Sequence, residues 1–369
     1  MLRERLARHH LAGDGLPSPV DVVRWFGAVQ AQDFSGALWA IGQRLATATT
    51  EANVLAAFDA GALVRTHVLR PTWHFVAPED LRWMLALTGP RIQTASAARY
   101  RELGLDPSTR AKAERVFARA LAGGRHLTRP ELADVLRRAR IDPADQRLAH
   151  LVMHAELEGL ICSGPRVGKQ FTYALIDERV PPARPVDREA AVTALVTRYF
   201  SSHGPATVSD AAWWSGLPMG AVREGIALAG DALQRRIIDR TEYWQSAEGH
   251  ETTAATKQRP PAAARRAAAV HLLPSFDEYT VAYRDRRPLL HASTPVSTVA
   301  QSALLSQPLM LEGRHVGTWR RTLSPRPTAP LLVEVRLLET LAPGQRRALV
   351  RGVQRYAAFL GRPVTLIGV

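Results

Sequence analysis

Apolar positions at helical spacing begin at residue 22. Val22, Trp25, Phe26 and Val29 fall at i, i+3, i+4 and i+7, the stripe of a helix that buries one face. Ser18-Pro19-Val20-Asp21 precedes them: Ser18 suits the cap, Pro19 the first helical position, and Asp21 completes a capping box. Ser35 is placed to cap a second helix with Leu38, Ile41 and Leu45 inside. Thr50 is placed to cap a third, with Val54, Leu55 and Phe58 inside and Gly61 as its stop. An extended run over 63–70, a Pro71-Thr72 turn and a second run over 73–77 predict a hairpin. Three helices and then a hairpin is the order of a winged helix-turn-helix module.

The order recurs. A periodic helix is expected over 107–123, and Thr128-Arg129-Pro130-Glu131 opens another with Leu132, Val135 and Leu136 inside. A third runs from about 144 to 158 and stops at Gly159. Strands over 160–162 and 171–175 follow, with Arg166 and Lys169 at the tip between them. After a Pro-rich linker, 180–186, a third copy shows Val192, Leu195, Val196 and Tyr199 on one helix. Thr207 to Asp210 caps the next, which holds Trp213-Trp214; a third starts near Pro218, and strands follow at 233–239 and 242–245. Residues 247–269, rich in Ala, Thr, Pro and Arg, read as a linker. Strands are then predicted at 271–274, 308–311, 315–319 and 331–338, a helix over 343–360 burying Leu349, Val353, Tyr356 and Leu360, and a last strand at 364–367. A short basic helix is expected over 2–13. The expected fold is mainly α with β-hairpins, an α+β chain of modules at 1–100, 101–180 and 187–247 and a small β-rich domain at 270–369.

Composition narrows the class. At 369 residues and 46% hydrophobic content, two or three cored domains are expected. There is no apolar run of membrane-spanning length and no signal-peptide h-region, so a soluble, cytoplasmic protein is expected. A single cysteine, Cys162, excludes an internal disulfide. The formal charge of +14 favours an anionic partner, most often nucleic acid. Arginine supplies nearly all of it; the lysines are Lys112, Lys169 and Lys257. No phosphate-binding loop, G-x-S-x-G or dinucleotide fingerprint is present, and neither a cofactor nor a metal is expected.

The polar cluster Gln30-Ala31-Gln32-Asp33 stands at the predicted end of the first helix. If the chain extends there, Gln30 and Gln32 project to one side. From spacing alone, a pair of amides tying down an interhelical turn is the stronger reading, and Asp33 then serves the next helix. The first module offers no lysine, which counts against a Schiff-base nucleophile. His150 and His154 lie at i, i+4, but Leu151 stands where a zinc protease has its glutamate. Trp73-His74 suits either a nucleotide contact or a core. Tyr279 and Arg284 sit in stretches that mix carboxylates, aromatics and cations, and Arg320-Arg321 read as a basic tip after a Gly313–Gly317 hairpin. The DNA-facing candidates are Arg65, Arg70, Trp73, His74, Arg166, Lys169, Tyr279, Arg284, Arg320 and Arg321.

Four stretches together carry a family resemblance: Val29 to Asp33, Leu63 to Val76, Gly204 to Leu217, and Leu272 to Tyr279. With these, the chain resembles the winged-helix DNA glycosylases of the AlkZ/YcaQ superfamily from about residue 18 onward. The resemblance implies three tandem winged-helix modules and a β-rich element forming a C-shaped clamp on duplex DNA. It implies hydrolysis of the N-glycosidic bond of N7-alkylated purines, including bulky adducts and crosslinks, with a role in antibiotic self-resistance. Gln30-Ala31-Gln32 matches the Gln-apolar-Gln motif of the AlkZ branch; Asp33 is one residue out of register with the carboxylate of the YcaQ branch. A monomeric glycosylase without lyase activity is the implied function. A non-catalytic tandem winged-helix regulator is the second reading.

Overall fold

The computed structural model describes residues 1–247 and 269–368, apart from 292–293, 295–296, 298–300, 303, 325 and 327–328. The expected linker over 247–269, except its two end residues, and Lys257 within it lie outside the described residues.

Helix α1 (Leu2–Arg8) leads into α2 (Pro19–Phe26), where Ser18 accepts the Asp21 N–H as anticipated. The helix stops one turn earlier than its apolar stripe suggested. Gly27 takes φ +83°, a conformation that releases the chain from the helix. Val29 and Gln30 therefore belong to a short strand, β1 (Ala28–Gln30). Asp33, not Ser35, caps α3 (Phe34–Gly42), accepting the Gly36 N–H at 3.1 Å. Helix α4 (Glu51–Asp59) and strands β2 (Val64–Val68) and β3 (Arg70–Val76) complete the first run. The hairpin turns at Leu69, φ +63°, rather than at Pro71-Thr72, which lie within β3. The sheet order is β1-β3-β2, so β1 is an edge strand.

Helix α5 (Pro78–Glu102) was not anticipated: Pro90 lies inside it, and a proline normally ends a helix. It leads to a second run, α6 (Pro107–Leu121), β4 (Leu127–Thr128), α7 (Arg129–Arg138), α8 (Arg147–Leu157), β5 (Ile161–Ser163) and β6 (Thr172–Leu175). At the start of α7 the Glu131 carboxylate accepts the Thr128 N–H at 2.7 Å, one half of the expected capping box. After the short α9 (Ile176–Arg179) and an exposed proline-rich stretch come α10 (Arg188–His203), α11 (Val208–Ser215), α12 (Met219–Ala229) and the hairpin β7 (Leu233–Ile238) and β8 (Thr241–Ser246). Three successive sets of helices thus each end in an antiparallel hairpin.

The tail forms a five-stranded sheet in the order β13-β12-β11-β10-β9, built from β9 (Val270–Leu272), β10 (Pro308–Leu311), β11 (Arg314–Thr322), β12 (Leu331–Leu337) and β13 (Val364–Ile367). Helix α14 (Pro343–Phe359) packs on it through Leu349, Val353 and Tyr356. A one-turn helix, α13 (Glu278–Val281), links β9 to the rest.

This tail shares its interior with the start of the chain. Val22, Phe26, Leu38, Trp39 and Phe58 pack in one core with Leu272, Val333, Leu349 and Tyr356. A buried ion pair joins the same regions: Arg44 donates to Asp277 at 2.6 and 2.9 Å and to the carbonyls of Ala40 and His9. Both side chains are at most 1% exposed. Asp277→Ala would strand a buried guanidinium, and a loss of about 3–5 kcal/mol is expected, read as a lowered urea midpoint. A loss below about 1 kcal/mol, the scale of a surface pair, would contradict this account of the junction.

Candidate active site

The three-stranded sheet β1-β3-β2 divides the sequence candidates by alternation. Gln30 is the direct cross-strand partner of His74, which pairs on its other side with Thr66. Direct partners share a sheet face, so Gln30, Thr72, His74 and Arg70 line one face. Arg65, His67, Trp73 and Phe75 line the other.

On the first face Gln30 is buried at 8% exposure, and Gln32 beyond the strand end is exposed. The Gln30 Nε2 lies 3.5 Å from Thr72 Oγ1, a weak donation, and its Oε1 is buried with no protein partner. His74 is wholly buried, and its Nδ1 donates to the Thr72 carbonyl at 2.9 Å. Burial, reinforced by the Arg70 charge, pushes its imidazole down to about 3. The ring is neutral, so its Nε2, also unpartnered, carries a lone pair. Arg70 adds buried donors, Nε and Nη2, with no protein partner. Its guanidinium lies 5.6 Å from the Trp213 ring of the third run, and Arg286 lies at the same distance from that ring. Two unpaired acceptors and a pair of unpaired donors on one buried face form a place built for something other than protein.

The outer edge of β1 is closed by Glu278, within the Leu272-to-Tyr279 stretch and outside the DNA-facing candidates. Its Oε1 accepts the Gln30 main-chain N–H at 2.7 Å, and its Oε2 accepts the Trp214 Nε1–H at 2.9 Å. His203 Nε2 stands 3.5 Å from Oε2, the limit of a hydrogen bond. Burial opposes ionisation of this carboxyl, but the His203 ring and the Gln30 N–H outweigh it and hold it below its ordinary value. No spacing rule connects residues 30 and 278; the signal in sequence was the acidic pair inside an apolar Leu272-to-Tyr279 stretch.

The second face is a cation–aromatic cluster. Arg65 lies 4.3 Å from the Trp73 ring and 4.8 Å from Phe171, and its Nε donates to the Ala31 carbonyl at 3.1 Å. Burial lowers its guanidinium to about 10, still charged at neutral pH. Arg166, on the β5–β6 loop, lies 5.6 Å from the same Phe34 ring that Arg65 approaches at 5.8 Å, and Lys169 on that loop is exposed.

The remaining candidates sit elsewhere. Tyr279 is fully buried, with its hydroxyl donating to the Gly313 carbonyl at 3.1 Å, so it is an internal strut and no DNA-facing ring. Arg320 and Arg321 are paired within the C-terminal part of β11 opposite Glu334 and Val333, not at the tip of the β10–β11 hairpin, whose turn falls at Glu312 and Gly313. Arg320 is exposed, whereas Arg321 is half-buried and bonds the Tyr356 hydroxyl. Arg284 is exposed and donates to Ser209 Oγ at 3.1 Å. His154 is engaged by Glu114 at 2.8 Å and by Gln93 at 2.7 Å. Among the described residues no helix is long and apolar enough to cross a membrane.

A family model described as DNA glycosylase AlkZ-like matches residues 23–359. Among solved structures, the fold is similar to that of the DNA glycosylase AlkZ of Streptomyces sahachiroi, with a TM-score of 0.72 and 22% identity over 99% of this chain and 98% of that one. No curated protein sequence matches the chain.

The neutral histidines make stability depend on pH. His74 is held at about 3, His271 at about 4 and His9 well below its ordinary value, in each case mainly by burial. In the unfolded chain a histidine takes up a proton near about 6.5. Below that pH the unfolded state binds more protons, so stability is fully present above about pH 7 and falls as the pH drops towards 5. The urea midpoint is expected to be lower at pH 5 than at pH 7.5; equal or higher stability at pH 5 would contradict these assignments.

Proposed function

The chain belongs to the AlkZ-like DNA glycosylase family, and on that premise we propose that it hydrolyses the N-glycosidic bond of N7-alkylguanine in duplex DNA. Gln30 and Gln32 are the catalytic amides of the proposal. The observation that carries it is the buried Gln30 Oε1, unpaired beside the unpaired Nε2 of a neutral His74. Two acceptors of this kind suit a water, whose oxygen lone pair is then free to attack.

The chemistry asks for little acid catalysis. Alkylation at N7 gives the guanine a positive charge, so the C1′–N9 bond breaks with its electron pair neutralising the base. The water oxygen bonds to C1′ of the oxocarbenium-like sugar, and its surplus proton passes to solvent. Carboxamide dipoles favour the developing cation, and weak catalysis on uncharged bases follows from the absence of a strong acid. Attack by water predicts an abasic product without lyase cleavage.

Three winged-helix modules in a C-shaped clamp, with the modules at 1–100, 101–180 and 187–247, are part of the same reading. Phosphate contacts fall to Arg70, Arg166, Lys169, Arg284 and Arg320, with the buried Arg65 and His74 and the half-buried Trp73 as support. The substrate range includes bulky adducts and interstrand crosslinks, cleaved while still largely stacked rather than flipped into a tight pocket. Self-resistance to a DNA-alkylating natural product is the matching role, carried out by a cytoplasmic monomer.

Duplex DNA carrying one N7-methylguanine should become alkali-labile at the lesion after incubation with the protein. Gln30→Ala and Gln32→Ala should each lower the single-turnover rate by about 100-fold while leaving DNA affinity within about threefold. No cleavage with either a methyl or a bulky adduct sinks the enzyme reading, and full activity in both variants sinks the assignment of the two amides.

A further inference from the structure

An oxocarbenium-like sugar is stabilised by negative charge, and Gln30-Ala31-Gln32 offers only dipoles. The carboxylate nearest in sequence, Asp33, is committed to the Gly36 N–H at the cap of α3. Glu278 arrives from the far end of the chain and is 1% exposed. Its two oxygens are fixed by different parts of the molecule, Oε1 by the Gln30 N–H and Oε2 by the Trp214 indole. The neighbouring His203 is buried, and burial keeps its imidazole neutral near pH 7.

Arg70 is the cation whose charge reaches both Glu278 and His74. Two of its guanidinium nitrogens are buried without a hydrogen-bond partner, so it interacts with Glu278 through space and not through a direct ion pair. A guanidinium with free donors takes a DNA phosphate. Once that pairing forms, the charge on Glu278 is left uncompensated directly behind the strand that carries Gln30.

We propose that Glu278 is a positioning residue for glycosidic-bond cleavage: it locks the outer edge of β1 through the Gln30 N–H and supplies the fixed negative charge that favours the cation developing on the deoxyribose. The proposal rests on the glycosylase reading above. It explains how an amide motif works without a carboxylate of its own.

Two stable duplexes separate charge from shape: one holds a cationic pyrrolidine in place of the sugar, the other a neutral tetrahydrofuran. Wild-type protein should bind the pyrrolidine duplex at least about tenfold more tightly. Glu278→Gln should bind the tetrahydrofuran duplex like wild type yet lose that preference. Its kcat on N7-methylguanine should fall by about tenfold or more with KM little changed. A purely structural role would not move the ratio of the two affinities. If Glu278→Gln also weakens tetrahydrofuran binding, Glu278→Asp decides: it keeps the charge and should keep the preference, and its loss there overturns the proposal. Equal affinity of wild type for both duplexes, or an unchanged preference in Glu278→Gln, overturns it as well. Absence of base release by wild type would instead overturn the glycosylase reading, so the two failures are distinguishable.

Discussion

A three-residue edge strand cannot hold an amide in place by itself. β1 makes its inner hydrogen bonds to β3, and its outer N–H at Gln30 goes to the Glu278 carboxylate, 248 residues later in the chain. An edge strand left open is exposed to water and to slippage; here it is closed by a charged acceptor that also binds Trp214. The first run, the third run and the tail therefore meet at one carboxylate. Arg44 and Asp277 secure the adjoining residue of the same tail segment with a second buried contact. The site's geometry is thus a property of the whole chain, although the motif is three residues long.

The sheet then sorts the cations. On one face Arg70 stands with unpaired donors beside Gln30, Thr72 and His74. On the other, Arg65 is consumed by Trp73, Phe171 and the Ala31 carbonyl. The two arginines are five residues apart, yet one retains capacity for a ligand and the other braces the strand end. That brace acts on Ala31, between the two glutamines, so both faces of the sheet converge on the motif.

Much of this was legible in the sequence, because helix caps and apolar periodicity are local. Ser18, Thr50, Thr128 and Thr207 all mark helix starts, and Gly159 an end. The misreadings have physical causes. Val29 continued the helical spacing, but the positive φ of Gly27 had already ended the helix. Pro71-Thr72 looked like a turn, but β3 accepts a proline and the chain reverses at Leu69. Pro90 hid α5, since proline within a long helix defies the local rule. Tyr279 and Glu278 were hidden because burial depends on what packs against a residue, and neither strand pairing nor long-range acceptors leave a periodic trace.

On the proposed reading, the buried amide of Gln30 and the exposed one of Gln32 direct water, and no protein amine, at the sugar. Mass analysis of the products from a duplex with one N7-methylguanine, incubated with the protein in the presence of borohydride, tests it most directly. Free N7-methylguanine, an uncut strand bearing an abasic site and no covalent protein–DNA species are expected. A borohydride-trapped adduct, or the absence of free base, would contradict it.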